Sequence, residues 1–310
     1  MPGVWIAARD DGEVSTRIPW QLRFAALSLT WGASFLLIKL ALRGLYPLQI
    51  AFGRTAIGAA VLLVVIAARR EPLPRDAAVW GHLLAAGLLL NAIPFALFAW
   101  AETRVPSILA GVYNAAAPLV TLALATLMLP AERPTPRRVV GVLGGLAGVL
   151  VVLGAWRAPT APLSGQLAAL AATSCYACAY VYVRRFLSGR AIPVASLATG
   201  QLLCAMVELA PVVPRHLERH VSATAVAALL VLGAVSTAFA YLLSHSLIRE
   251  RGATTASLVN YPIPAVAVLL GLALLGEPLH WNEPAGAAIV LLGVWFAEGR
   301  SLRRARAAAL

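Results

Sequence analysis

A chain of 310 residues that is 60% apolar and only 12% charged, with a mean hydropathy of +0.81, excludes an ordinary soluble domain, where about 25% of residues carry charge. Its net charge of +12 rests on arginine, because Lys39 is the sole lysine. That lysine sits in the apolar run GASFLLIKLAL, not at the end of a glycine-rich turn, which excludes a Walker-type nucleotide motor.

The first 22 residues contain Asp10, Asp11 and Glu13 and read as a tail before an uncleaved anchor. Ten apolar stretches near the length of about 20 residues that crosses a bilayer follow: 23–42, 48–68, 79–101, 106–129, 138–155, 165–184, 192–213, 223–247, 254–276 and 284–299. Residues 300–310 form a basic tail. The expected fold class is an all-α integral membrane protein.

Basic residues retained on the cytoplasmic side set the orientation. With the N-terminus inside, 18 of the 25 basic residues fall in cytoplasmic segments, five (Arg43, Arg104, Arg157, Arg215 and Arg219) fall in outer ones, and Lys39 and Arg54 lie within spans. Both termini are therefore expected in the cytoplasm. The arginines lie in small groups between apolar segments, without the basic, aromatic-interleaved face that nucleic acid needs, so no nucleic-acid partner is expected.

Ionisable groups inside a bilayer are costly and need a reason. Arg54, about 10 Å deep at 1.5 Å per residue, either meets a substrate anion through its planar fork or snorkels to the outer rim. Lys39, nearer the surface, favours snorkelling. Glu208 is the one acid inside an expected span apart from Glu298 at the very end of the last and is a candidate for proton coupling, since burial favours the protonated acid; it could equally pair with Arg54 or Lys39. His245 is a second coupling candidate, although it and His82 are more commonly packing residues. His216 and His220 have metal-compatible spacing without a zincin pattern. Cys175-x-x-Cys178, like Cys204, lies in an apolar run, and a zinc site would need further ligands. No cofactor or metal is expected.

Prolines inside spans free backbone carbonyls and are tolerated where a helix lines a cavity or is buried. Pro118 and the pair Pro262 and Pro264 interrupt two spans, and Pro94 a third, with Asn114, Asn260 and Asn91 close by. These asparagines read as cavity contacts or as interhelical hydrogen bonds. Trp31, Tyr176, Tyr180 and Tyr241 are aromatic candidates for the same cavity. Gly141, Gly145 and Gly148, with Gly286 and Gly293, form small-residue stripes for close helix packing, within the chain or between two copies as a homodimer.

The chain also repeats itself. Trp31 and Lys39 recur as Tyr176 and Arg184, Asn114 and Pro118 as Asn260 and Pro264, and Glu132 as Glu277, all at offsets of 145 or 146 residues. Each half, 23–155 and 163–299, then holds five spans, and an odd number inverts the second half. Inverted repeats build secondary transporters with a midplane site where the halves meet.

The W-G-x-x-F segment with its following lysine (Trp31, Gly32, Phe35, Lys39), the P-L-x-x-A-x-x-R pattern from Pro47 to Arg54 and the proline- and glutamate-containing end of each half resemble the EamA branch of the drug/metabolite transporter superfamily over residues 20 to 299. The chain departs from that family at Ser174-Cys175, where members often keep an aromatic. The resemblance implies a ten-helix carrier, its cavity built by the first four helices of each half with the fifth packed outside, similar to inner-membrane exporters of amino acids and other small metabolites. A hydrophobic-cation exporter is the alternative within the superfamily. An intramembrane enzyme would need paired acids, a nucleophile with its base, or metal ligands at one depth; a membrane scaffold would need no cavity.

Overall fold

Proline marks where much of this chain turns into helix, since its fixed φ suits the first turn and its missing N–H is not needed there. The computed structural model describes residues 18–130, 135–152, 156, 162–213, 221–266, 269–270 and 281–298. Helix α1 (Trp20–Ala41) follows Pro19 and α2 (Pro47–Arg69) opens on Pro47. Helix α3 (Ala77–Ala101) is capped instead by Asp76, whose carboxylate accepts from the Ala78 N–H at 2.9 Å. Helix α4 has two pieces, Ser107–Asn114 and Ala117–Met128, with Pro118 opening the second. Helix α5 is Pro136–Val152, and α6 (Leu163–Phe186) and α7 (Val194–Leu209) follow Pro162 and Pro193. The helical run Ala223–Asn260 is two helices, because Gly252 adopts φ 88° and ψ 172°, a backbone that glycine alone takes without strain. Helix α8 ends there; α9 begins after it and continues through 263–266 and 269–270. Helix α10 is Asn282–Glu298.

All regular structure among the described residues is helical. Six runs are long and apolar enough to cross a membrane, and Ala117–Met128 and Pro284–Ala297 are shorter apolar helices. Outward faces are apolar too, with Val64 70% and Leu127 80% exposed, a pattern suited to lipid rather than water. Inside, the hydroxyls of Thr55, Thr173 and Thr199 donate to carbonyls one turn back, so these buried polar groups are satisfied within their own helices. Of the expected N-terminal tail, residues 20–22 already belong to α1; residues 1–17, Glu132, His216, His220, Glu277 and the basic tail lie outside the described residues.

The halves exchange partners: α2 packs on α7, α1 on α8 and α3 on α6. Two glycines permit close approaches between further pairs across the halves, α3 with α7 and α8 with α2. A Cβ on Gly87 of α3 would lie 2.9 Å from the Gln201 carbonyl oxygen of α7, and one on Gly233 of α8 would lie 2.4 Å from Ile57 of α2. Each precedes a π-helical turn, Leu88–Ala92 in α3 and Ala234–Phe239 in α8, at matching places in the repeat. Helices α5 and α10 pack against one another through Gly141, Gly145, Gly148 and Gly293. That small-residue stripe is therefore used within the chain.

Candidate functional site

Asn114 ends the first piece of α4, and Asn260 ends the short 3-10 turn Leu258–Asn260 of α9. Although 146 residues apart, they meet: Asn114 Nδ2 donates to Asn260 Oδ1 at 3.0 Å, while Asn260 Nδ2 donates to the Ser257 carbonyl at 2.9 Å. The repeat-related breaks in α4 and α9 thus touch where the two halves join. Asn114 Oδ1 is buried and has no partner among the described residues.

Beside this pair lies a cavity with about 450 Å³ of space not filled by atoms. Trp31, Ser34, Phe35 and Ile38 of α1, Arg54 of α2, Phe95 and Phe98 of α3, Asn114 of α4, Tyr176 and Tyr180 of α6, Tyr241 of α8 and Asn260 of α9 line it. Seven of these twelve residues are aromatic, and Arg54 is the one charged residue among them. Two ring pairs pack edge to face, Phe35 on Phe98 at 5.4 Å and Trp31 on Tyr241 at 6.2 Å, an arrangement ring quadrupoles favour, while Tyr176 stacks on Phe98 at 5.7 Å.

Arg54 is only 4% exposed. Its Nε donates to Thr237 Oγ1 at 3.1 Å, and its guanidinium lies 3.7 Å from the Phe95 ring centroid. Thr237 stands in the π-helical turn of α8, where its own hydroxyl donates to the Leu232 carbonyl at 2.8 Å. The wider turn therefore fixes the threonine that fixes the arginine. The other half carries an uncharged counterpart: Gln201 of α7 donates through Nε2 to Asn91 Oδ1, in the π-helical turn of α3, and accepts from His245 Nε2 at 2.9 Å. Asn91 and His245 thus form a network behind the cavity and do not line it. Tyr241, which does, donates its hydroxyl to the Leu90 carbonyl at 2.9 Å.

The remaining candidates stand apart. Lys39 donates to the Glu102 and Val105 carbonyls at 2.6 and 3.4 Å, tying down the turn between α3 and α4. Its repeat counterpart Arg184 does the same for α8, donating to the Ile248 and Arg249 carbonyls at 3.3 and 2.8 Å. So Lys39, itself exposed, does not line the cavity. Pro118 and Pro264 shape helix breaks without lining the cavity. Glu208 is half-buried on α7, with neither Arg54 nor Lys39 as partner; both its oxygens are unpaired among the described residues. His82 packs against α6, hydrogen-bonded to the Tyr182 hydroxyl at 2.8 Å and stacked on Phe186. Ser174 and Cys178 are exposed, facing away from the cavity. Among the described residues no cluster of three His, Cys, Asp or Glu could hold a metal.

Three residues that matter here carried no signal in the hydropathy pattern: Thr237, Gln201 and Glu102. The first two were reachable through Gly87 and Gly233, which obey the same repeat offset. Glu102 follows the last residue of α3 and reads as a loop acid, yet it is 0% exposed and both its carboxylate oxygens lack partners among the described residues. Burial pushes its carboxyl well above the usual carboxylate range, against the opposing pull of Lys39 and Arg54.

The profile of the EamA-like transporter family matches residues 18–154 and again 163–298. An uncharacterized transporter of Archaeoglobus fulgidus is 28% identical over 87% of this chain and 95% of its own length. A probable amino-acid metabolite efflux pump of Salmonella typhimurium is 25% identical over 86% and 90%, and the uncharacterized inner membrane transporter YedA of Escherichia coli is 27% identical over 87% of each chain. One solved crystal structure shares the fold at a TM-score of 0.72 and 23% identity, covering 90% of this chain and 96% of the other. With both of its halves matched, the chain belongs to the EamA-like transporter family.

Proposed function

We propose that this transporter is a gradient-driven secondary carrier that exports amino acids or related small polar metabolites by alternating access. In this reading ten helices cross the inner membrane as two inverted five-helix repeats, residues 23–155 and 163–299, with both termini in the cytoplasm, and the halves rock about the cavity. The observation that carries it is the cavity wall itself: a single cation, Arg54, among aromatic rings at the junction of the halves. A guanidinium suits a carboxylate through paired donors. The unpaired Asn114 Oδ1 and the ring faces suit an ammonium group. The name of the Salmonella relative, an amino-acid metabolite efflux pump, points the same way.

The experiment is counterflow in proteoliposomes holding the purified protein and a panel of radiolabelled amino acids. Accumulation of at least one that depends on the protein supports the reading; no movement of any under any imposed gradient overturns it. The seven aromatic residues also favour a second reading, export of hydrophobic cations, which Arg54 opposes by charge. Uptake of a lipophilic cation, unaffected by competing amino acids, would select it.

A further inference from the structure

The two halves match closely around the cavity except in one respect. The Lys39 and Arg184 caps correspond, as do the asparagine pair, the glycines and the π-helical turns. Where the first half has Arg54 and Glu102, the second has the uncharged Gln201 as the counterpart of Arg54 and Ile248 at the 146-residue offset from Glu102. A buried cation and a buried acid thus both belong to the first half.

Glu102 sits one helical turn beyond the cavity residue Phe98, to whose carbonyl its N–H donates at 2.9 Å. Among the described residues, the charged groups acting on its carboxyl are Lys39 from α1 and Arg54 from α2. Neither forms an ion pair with it, and both carboxylate oxygens are unpaired. The nearby Arg104 is exposed and lies over the Trp100 ring, 3.6 Å from its centroid. Gly165 of α6 packs on this turn against Val105 and the Arg104 Cβ and adds no charge. An ionised carboxylate without hydrogen bonds at such a place is costly, and a proton removes that cost.

We propose that Glu102 is the carrier's proton-binding site and that its protonation state sets how strongly Arg54 attracts an anionic substrate. The idea rests on the reading of Arg54 as the carboxylate site. With Glu102 ionised, its charge offsets the field of Arg54 and Lys39, and the cavity holds an anion weakly. Once a proton from the aqueous phase binds a Glu102 oxygen, the arginine charge is uncompensated and the anion binds tightly. Linkage is reciprocal, so a bound anion raises the proton affinity of Glu102 by the same factor. Proton and substrate carboxylate therefore bind cooperatively.

Infrared titration of the lipid-reconstituted protein tests the proton site without any substrate. The wild type should show protonated-carboxyl absorption that persists above the usual carboxylate range of about pH 4, with a component that is lost in Glu102→Gln and retained in Glu208→Gln. Glu102→Ile, which installs the residue of the second half, must also remove that component. A band identical in the wild type and in either Glu102 variant overturns the proposal. Binding of benzoate, an aromatic carboxylate ionised throughout, then tests the coupling. From about pH 9 to about pH 6, wild-type affinity should tighten at least about fivefold, while Glu102→Gln binds tightly at both. Wild-type binding that is independent of pH overturns the proposal and leaves the Arg54 site standing. If Arg54→Ala binds benzoate as the wild type does, the Arg54 reading fails, and the coupling proposed here fails with it even where the infrared band is present.

Discussion

Replacing Gly293 by alanine should force α5 and α10 apart. A Cβ there would stand 2.5 Å from the Gly145 backbone nitrogen and 2.9 Å from the Gly141 carbonyl oxygen. Both are backbone atoms, so no rotamer change relieves the clash; reaching an ordinary contact of 3.4 Å needs a shift of about 0.9 Å. Over-packing of this kind costs about 1–3 kcal/mol, and in lipid, where close packing drives helix association, burial of the added methyl gives little in return. Gly144 provides the control, because a Cβ on it would have only the Gly293 Cα within reach, at 3.9 Å. Alanine there gains about 0.5–1 kcal/mol from reduced backbone freedom. Thermal unfolding of detergent-solubilised protein, followed by thiol labelling of the buried Cys204, separates the two. The midpoint should fall by several degrees, at about 2–4 °C per kcal/mol, for Gly293→Ala and hold or rise for Gly144→Ala. Equal midpoints for the two variants would refute the assignment of this stripe to packing within the chain.

Three further outcomes follow from the geometry. A double-mutant cycle of Asn114→Ala and Asn260→Ala should show a coupling of about 0.6–1.7 kcal/mol in unfolding free energy, because one hydrogen bond joins them; additive effects would deny it. Gly252→Ala should cost about 1–3 kcal/mol, as expected where only glycine tolerates the backbone, read as a lower unfolding midpoint. Glu102→Gln should be more stable than the wild type at alkaline pH and equal to it in acid. The folded wild type holds the Glu102 proton more tightly than the unfolded chain, so its stability is greatest below the unfolded carboxylate value and declines as pH rises toward the folded one. A variant whose unfolding midpoint parallels the wild type at every pH would contradict that sign.

Hydropathy made the spans legible because lipid demands long apolar segments whatever their neighbours, and Arg54 stood out because it violates that demand. The repeat offset pointed to Asn114 and Asn260 separately. Their meeting, 146 residues apart, shows only in the structure. Other features were hidden for physical reasons. A π-helical turn inserts one extra residue without changing hydropathy, so Leu88–Ala92 and Ala234–Phe239 look like any apolar helix. The break between α8 and α9, by contrast, was marked by the charged run Arg249, Glu250 and Arg251 before Gly252. Glu102 is buried by a distant residue, since Lys39 of α1 ties its turn down, and no local pattern records such a contact. Lys39 shows the same limit: its place near a span end was legible, but not the two carbonyls it caps.

The most direct test is counterflow of a transported amino acid in proteoliposomes by the wild type, Arg54→Lys and Arg54→Ala. Removing a buried charge that holds a carboxylate costs about 2 kcal/mol or more, so Arg54→Ala should lose about 30-fold or more in kcat/KM. Arg54→Lys should fall between the two, keeping the charge but losing the planar fork and the bond to Thr237. Undiminished transport by a stably folded Arg54→Ala protein would contradict the assignment of the cavity between the halves as the carboxylate site.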